Sequence, residues 1–444
     1  MKSLIGIIIS LFFLGCSFDN KTGIWKNENI SNEDINNIEE LVELNKIFED
    51  TSFKSTIKLD KNFKFNLSKP VDNYSWNNIF YKNTNNLDNF KYIQQDKEIY
   101  KSKKLSRKEN NGFILFNNGY FIFNDSTGNI IFFSLKEKKI VNKFNFYKKN
   151  YKKNINKKLN LFINNDLLYV SDNFGFLYSY DIKLKKILWA KNYKIPFRSN
   201  LKIQNNKIYT SNQNNDFLVI NRKNGEILKR IPTEESNIQS KFINNIASDN
   251  QSTIFFLNSY GSLHSIDANY LQVRWFINLN RSLDLNPLNI FSGKSIVYYN
   301  KKIIVSTSSN TYIIDSVSGS ILSKLNFSSL VRPIIHNNYL FLINKNNFLI
   351  SYNLVSKEIL YSYSIDEQIA ESLKIKKKKV SLKDLMLVNN NLLISLNNSY
   401  LLYFDISGKL KEIKKLNSPM SSKSIFIDKS LIYLDKKNRL RILN

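Results

Sequence analysis

The residue with the clearest chemistry in this chain is Cys16, the only cysteine among 444 residues. It ends a short apolar run, LIGIIISLFFLGC, that follows Lys2. The run is shorter than the roughly 20 residues of a membrane-spanning helix, so it predicts a cleaved signal peptide over residues 1–15. A lone thiol cannot form an internal disulfide, and the ending Leu14-Gly15-Cys16 is a lipobox. We therefore expect Cys16 to be acylated and to attach the protein to a membrane through lipid chains.

The other chemistry-bearing residues form no recognisable catalytic or metal motif. Of the two histidines, His264 lies within the strand-like GSLHSID, where we expect it to be packed, and His336 precedes an Asn337-Asn338 turn, where we expect it at the surface. Phosphate loops, nucleophile elbows and multi-histidine sites are absent from the sequence. The sequence predicts no catalytic residue, no metal and no cofactor. Paired carboxylates from separate repeats leave no linear motif, so a polysaccharide lyase or hydrolase remains an alternative.

A repeated unit organises most of the chain. Each copy has an apolar strand, a polar turn, a second strand that closes on a polar residue, and a third strand four or five residues later, as in LLYVSDNFGFLYSYDIKLKKILW at 167–189. The residues that close the second strand are Ser134, Asp181, Asn221, Asp267, Asp315, Asn353, Asp405 and Asn444. Their spacing averages about 44 residues, which is the length of one four-stranded propeller blade. The sequence therefore predicts an all-β, eight-bladed β-propeller with four-stranded antiparallel blades over residues 61–444.

Two further positions recur within the unit. Trp189 and Trp275 each stand eight residues past the end of the second strand. Gly225, Gly319 and Gly408 lie in the turn that follows that strand, where we expect the backbone to need a positive φ. Segments such as INRKNGEILK and IDSVSGSILS resemble worn copies of the pattern ALDxxTGxxxW, which belongs to propeller repeats of the pyrroloquinoline-quinone type.

The two ends of the chain complete the predicted architecture. The last repeat stops at its third strand, so we expect an N-terminal strand from within 70–105 to close the ring and cover the open sheet edge. Residues 16–60 are predicted to form a lipidated tether with a short amphipathic helix over 32–48. Ser31 and Asp34 resemble a capping box there, and apolar residues recur on one helical face. The polar face is acidic, which favours packing on the propeller rim over lying on a membrane.

The net charge of +28 is unevenly distributed. Residues 16–50 carry nine acidic side chains and three lysines, whereas lysine-rich blocks at 148–158 and 374–379 fall between blades, in predicted interblade loops. Basic surfaces can bind nucleic acid, but a secreted, lipidated chain would not meet DNA, so we expect no nucleic-acid partner. We interpret the lysines as solvated surface, with attraction to anionic lipid headgroups or an acidic partner as the alternative.

The lipobox, the repeat type and the segment KPVDNYSWNNIFYKNTNNLDNF at 69–90 together resemble the BamB family, the propeller lipoproteins of the outer-membrane β-barrel assembly machinery. Trp76 corresponds to the tryptophan of the W-x-x-x-G-G-N segment that introduces the propeller in that family, although the paired glycines are absent here. The resemblance implies a non-enzymatic scaffold anchored by lipid at the periplasmic face of the outer membrane. Ser17 agrees, because an Asp after the cysteine would resemble an inner-membrane retention signal.

The resemblance also implies partners and a binding surface. Members of the family bind the periplasmic POTRA domains of the barrel-inserting subunit and assist the insertion of unfolded outer-membrane proteins. Their loops use an arginine that here corresponds to Arg198, and an acidic loop that corresponds to SLDLNPLNIFSG, in which the nearest acid is Asp284. The position expected to be acidic holds Asn289 or Ile290 instead. The alternative function is a periplasmic propeller enzyme, quinoprotein-like or a lyase or hydrolase, or a carbohydrate-binding lipoprotein.

Overall fold

The computed structural model describes residues 53–148, 151–234, 245–279 and 295–444, together with the backbone of residues 17–18 and 25–26. The chain divides into two compact units, Met1–Ser52 and Phe53–Asn444. In the first unit, β1 (Ser17–Phe18) pairs antiparallel with β2 (Trp25–Lys26). The predicted signal peptide, the predicted acylation site Cys16 and the predicted helix over 32–48 lie outside the described residues.

The second unit is the predicted eight-bladed β-propeller with four-stranded antiparallel blades. Two short strands, β3 (Asn89–Phe90) and β4 (Glu98–Lys101), precede the first blade. Blades 1 to 4 follow in chain order. Blade 1 comprises β5 (Leu115–Asn117), β6 (Tyr120–Asn124), β7 (Asn129–Ser134) and β8 (Lys139–Asn145), and blade 2 comprises β9 (Leu159–Asn164), β10 (Leu167–Asp172), β11 (Phe176–Asp181) and β12 (Lys186–Asn192). Blade 3 comprises β13 (Lys202–Gln204), β14 (Lys207–Ser211), β15 (Phe217–Asn221) and β16 (Ile227–Ile231), and blade 4 comprises β17 (Asn245–Ser248), β18 (Thr253–Leu257), β19 (Ser262–Asp267) and β20 (Val273–Asn278).

Blades 5 to 8 have the same order of four antiparallel strands, and in blade 7 the short β3 adds a parallel strand beside the first of them. Blade 5 comprises β21 (Val297–Tyr299), β22 (Lys302–Ser306), β23 (Thr311–Asp315) and β24 (Ile321–Leu325), and blade 6 comprises β25 (Ile334–His336), β26 (Tyr339–Ile343), β27 (Phe348–Asn353) and β28 (Glu358–Ser364). Blade 7 comprises β29 (Leu382–Val388), β30 (Asn391–Leu396), β31 (Tyr400–Phe404) and β32 (Leu410–Lys415). Blade 8 comprises β33 (Ile425–Ile427), β34 (Ser430–Leu434) and β35 (Leu440–Leu443), and β4 is its outermost strand. A helix, α1 (Ile365–Leu373), follows blade 6.

The strands differ in burial according to their place in the blade. Middle strands such as β10 and β19 are almost wholly buried, whereas outer strands such as β12 and β16 are mostly exposed and carry lysines. The three strands recognised in the sequence repeat are thus the second, third and fourth of each blade. The innermost strand, which can be as short as Lys202–Gln204, precedes them.

Every blade has the same irregularity between its third and outermost strands. The register shifts there by one residue, in blade 2 between Ser179 and Tyr180 and in blade 8 between Ile442 and Leu443. Such bulges increase the local twist of a sheet. A twisted blade can pack face to face against its neighbours around a ring, so the repeated bulge is part of the repeat itself.

Aromatic side chains join neighbouring blades at the predicted turn glycines. The indole Nε1 of Trp189 in blade 2 donates to the carbonyl of Arg222 in blade 3, at 3.0 Å. A Cβ on Gly225 would lie 2.6 Å from the Trp189 ring, and Gly319 faces Trp275 in the same way. The φ angles of Gly225 and Gly319 are +72° and +76°, which confirms the expected positive φ. Each glycine is therefore needed both for its φ and for the space beside it.

The ring closes through the N-terminal part of the unit, as predicted. β4 pairs antiparallel with β35, with Tyr100 opposite Ile442. The buried Arg441 donates from Nε to Asp435 at 2.8 Å and from Nη1 to Glu98 of β4. The N-terminal strand β4 and the last strand of the chain therefore share one sheet, which gives blade 8 its fourth strand.

Candidate functional site

The predicted binding arginine lies on the face of the ring that carries the blade-to-blade loops. We call it the connecting face; in blade 3 it comprises 196–198 and 212–216, joined by the bridge between Phe197 and Asn212. The backbone N–H of Arg198 donates to the carbonyl of Ser211 at 3.1 Å, which fixes the loop. Its side chain is partly exposed, and burial lowers the pKa of its guanidinium. Among the described residues no carboxylate forms an ion pair with Arg198, so its charge is available at this face.

The second predicted binding residue, Asp284, lies in 280–294, outside the described residues. The two basic blocks are interblade loops, as predicted. The described residues 148 and 151–158 lie between β8 and β9, and 374–379 lie between α1 and β29. Of the predicted partner-binding pair, the structure therefore places Arg198 alone.

A second repeated polar position, missed by the sequence analysis, shapes the connecting face. At the end of β10 the Asp172 side chain accepts hydrogen bonds from the backbone N–H groups of Phe174 and Phe176, both at 2.8 Å. The same pair of backbone hydrogen bonds is accepted by the side chains of Asp125, Asn212, Asn258, Asn344 and Asp435. The signal was present as an Asp or Asn at the end of the unit's first recognised strand. These side chains are bound to backbone, so they hold turns rather than supply free carboxylates.

The central channel is crossed by residues 73–90, which we call the channel segment. It lies in the part of the sequence that carried the resemblance to BamB. Its groups bond to the inner strand, or a residue beside it, in all eight blades. In blade order the bonds are Trp76 N to Phe116 O (2.7 Å), Ile163 N to Asn77 O (2.7 Å), Asn83 Nδ2 to Ile203 O (3.1 Å), Asn85 Nδ2 to Ile246 O (3.0 Å), Tyr298 N to Thr84 O (2.9 Å), Asn86 Nδ2 to Ile335 O (2.7 Å), Asn389 N to Phe90 O (2.9 Å) and Asn73 Nδ2 to Phe426 O (2.7 Å).

Two buried cations hold the channel segment from blades 3 and 6. Lys202 is fully buried, and its Nζ donates to the Lys82 carbonyl at 2.8 Å and to Asn85 Oδ1 at 2.6 Å. Arg332 Nη1 donates to the Phe80 carbonyl at 2.9 Å. Burial lowers the pKa of both groups. Within the described residues neither cation forms an ion pair with a carboxylate, so backbone carbonyls and an amide replace their water.

Trp76, the residue matched by the resemblance, is the apolar anchor of the channel segment. It is 3% exposed and packs on Tyr81 and Phe90, with ring centroids 4.5 and 5.7 Å away. The residues around it match the family only loosely. The asparagine side chains of this segment donate hydrogen bonds to inner-strand carbonyls of different blades. In the sequence this segment carried only the family resemblance, and its bonds to all eight blades are visible only in the structure.

The histidines have structural contacts. His264 is buried and stacks on Phe276 with a centroid distance of 5.6 Å, which confirms the expectation that it is packed. His336 lies at the surface but is partly buried, and its Nε2 accepts from the backbone N–H of Ser68 at 3.1 Å. Ser68 belongs to the chain that leads to the channel segment, so this chain contacts the histidine. Across the described ranges, no group of three His, Cys, Asp or Glu residues could hold a metal ion, and no helix could span a bilayer.

Comparison with known proteins gives three further findings. The family model described as outer membrane protein assembly factor BamB matches residues 148–363. Among curated protein sequences, none matches significantly. Solved structures with the same fold include BamB from Moraxella catarrhalis, with a TM-score of 0.64 at 10% identity, covering 78% of this chain and 99% of that one.

The fold is also shared with proteins of other kinds. A quinohemoprotein alcohol dehydrogenase from Comamonas testosteroni has a TM-score of 0.61 at 8% identity, covering 83% of this chain and 80% of its own. A computationally designed protein has a TM-score of 0.57 at 10% identity, with 77% and 98% coverage. At these identities the likeness shows the fold, and function has to be argued from the site.

Proposed function

Because this chain is a BamB-like β-propeller of the pyrroloquinoline-quinone-repeat type, we propose that it is a non-enzymatic scaffold of the outer-membrane β-barrel assembly machinery. It binds the POTRA domains of the insertase, assists the insertion of unfolded outer-membrane proteins, and is held by lipid on Cys16 at the periplasmic face of the outer membrane. The observation that carries the proposal is the family-model match over residues 148–363, which includes Arg198 and its loop.

The filled channel supports the non-enzymatic part of the proposal. A cofactor held on the axis of the ring would have to displace the channel segment, whose bonds reach all eight blades. Lys202 and Arg332, the buried cations on the channel wall, are bonded to that segment. The residues present therefore do not fit a quinone cofactor in the channel.

Co-purification tests the proposal against the enzyme alternative. We expect the tagged, lipidated protein to retain a barrel-assembly subunit after purification from its own membrane, identified by mass spectrometry. Elemental analysis and an ultraviolet–visible spectrum of the same sample report bound Ca²⁺ or quinone. Retention of quinone, Ca²⁺ or sugar without any assembly subunit would support the alternative instead.

A further inference from the structure

An apolar groove with a lysine rim lies between α1 and blade 7. Its volume is about 410 Å³. Most of the lining is apolar side chains from the helix and from the outer three strands of the blade: Ile369, Ala370, Leu373, Leu396, Leu402 and Ile413. The lining also includes Asp366, a buried carboxylate that accepts hydrogen bonds from Asn347 and from the backbone N–H of Val380. The loop 374–379 leaves the helix at Lys374, whose φ of +53° ends the helix, and passes along the mouth of the groove. We call this feature the lysine groove.

The rim of the lysine groove has an excess of positive charge. Lys376, Lys378 and Lys379 line it and are exposed. Lys377 forms an ion pair with Glu367 at 2.5 Å. Within the described part of the chain, the three rim lysines have no such carboxylate partner. Three like charges are therefore held around one apolar opening.

Apolar side chains are exposed between these lysines. Leu373 is 49% exposed and Ile375 is 55% exposed, directly before and after Lys374. Alternation of exposed apolar and basic side chains is typical of a surface that contacts the boundary between lipid headgroups and acyl chains. A phospholipid supplies both matching features in one molecule, since its phosphate suits the rim and its acyl chain suits the groove.

We propose that the lysine groove binds anionic phospholipid at a membrane surface, with acyl carbons in the groove and the phosphate among Lys376, Lys378 and Lys379. The interaction is a second membrane contact, separate from the lipid on Cys16 and from the loop that contains Arg198. It goes beyond the proposed scaffold role, and it does not depend on binding to the assembly machinery.

Vesicle binding tests the proposal. The mature chain, residues 16–444 with Cys16→Ala to remove acylation, is mixed with vesicles of phosphatidylglycerol and phosphatidylcholine, or of phosphatidylcholine alone, and sedimented. We expect binding to the anionic vesicles and little to the neutral ones. Equal binding to both, or binding to neither, overturns the proposal.

Matched charge variants separate the rim from the net charge of the protein. Reversal of Lys376, Lys378 and Lys379 to Glu should reduce affinity for the anionic vesicles at least tenfold, since lysines near such a surface each contribute appreciably. Reversal of Lys136, Lys143 and Lys148, exposed lysines of blade 1, changes the net charge equally. That control should retain at least half of the binding. Equal losses in the two triple variants would show that only overall charge matters.

A third variant tests the groove. Ala370→Phe fills it from α1 without changing charge, and should weaken vesicle binding severalfold while the thermal melting curve is retained. Full binding by Ala370→Phe would refute acyl insertion in the groove. Millimolar inorganic phosphate should not displace the vesicles; complete displacement would identify a free-phosphate site instead. If Ala370→Phe lowers the melting temperature, the smaller Ala370→Leu provides the same comparison.

Discussion

At the scale of single residues, Arg198 and the channel cations show opposite uses of a positive charge. Arg198 is partly exposed at the connecting face and forms no ion pair among the described residues. Lys202 is fully buried and bonded to the channel segment. The charge of Arg198 is therefore available to a partner, whereas the buried charge of Lys202 can only stabilise the folded protein.

Reversal of Arg198 should weaken the proposed partner interaction. We expect Arg198→Glu to reduce binding to purified POTRA domains by about 1–3 kcal/mol, as when one member of a partly buried charged pair is lost. Titration calorimetry measures the change, and its size should fall as salt rises. Arg107→Glu is the matched control, because Arg107 is exposed and the charge change is equal. Wild-type affinity in Arg198→Glu would move the interface to another loop.

Lys383 predicts a pH dependence of stability. Burial lowers the pKa of its ammonium group from 10.5 to about 8, and its Nζ donates to the Met420 carbonyl at 2.6 Å. Between these two pKa values the unfolded chain binds the proton more tightly, so the free energy of unfolding should rise with pH over that window. The effect is best measured from pH 8 to 9, where tyrosines with an ordinary pKa near 10 are still mostly protonated. Denaturant titrations of Lys383→Met should show a smaller rise; an equal rise would assign the dependence to other groups.

At the scale of elements, contacts between an outer strand and the next blade's turn assemble the ring. Trp189 and Trp275 fill the space above Gly225 and Gly319, and Tyr361 takes the same place above Gly408. The slot that holds tryptophan in two repeats thus keeps its packing role when another aromatic residue replaces it.

Alanine substitution at two glycines separates clash from backbone strain. Gly225→Ala introduces both backbone strain and a steric clash, since the φ is +72° and the added Cβ would lie 2.6 Å from the Trp189 ring. Gly112→Ala introduces backbone strain without a clash, because the φ is +83° and nothing lies within 4 Å of the added Cβ. We expect a loss of about 1–2 kcal/mol for Gly112→Ala and a larger loss for Gly225→Ala, measured by denaturant unfolding. Equal losses would show that Trp189 moves aside freely.

At the scale of the whole molecule, the N-terminal part of the propeller unit has two tasks. Residues 73–90 fill the channel, and β4 closes blade 8. Bonds from one segment to eight blades link all parts of a ring whose blades otherwise contact mainly their neighbours. Removal of this segment should therefore affect the entire ring.

Three truncations separate these tasks. Deletion of residues 16–50 should leave the melting temperature nearly unchanged. Deletion through 92 removes the channel segment but keeps β4, so the ring should fold with a lower melting temperature. Deletion through 105 also exposes the edge of β35, so we expect aggregation. Calorimetry and light scattering check the series. Equal stability of the last two proteins would mean that β4 does not close the ring in solution.

Cys16 determines how the whole molecule reaches a membrane in our proposal. Replacement by Ala should abolish incorporation of labelled palmitate and release the protein from the membrane fraction, or leave it uncleaved. Palmitate labelling and fractionation of cells measure both. Cys16→Ser preserves size and polarity and serves as a second test. Undiminished labelling of either variant would refute lipidation at this residue.

The sequence determined the parts of the fold that repeat. A period of about 44 residues, closing polar residues and turn glycines are local features, and eight copies reinforce one another, so the number of blades and the need for a closing strand could be predicted. The packed position of His264 followed from its strand in the same way. The short innermost strands were not separable from loops, because three residues carry too little periodicity.

Only the tertiary structure decided what the non-repeating parts do. Asn83, Asn85 and Asn86 are unremarkable polar residues in sequence, yet each reaches a different blade because the channel brings distant inner strands around one segment. His336 accepts a hydrogen bond from Ser68, which is 268 residues away in sequence. Groups so far apart in sequence share no local pattern, and their hydrogen bonds exist only once the ring has closed.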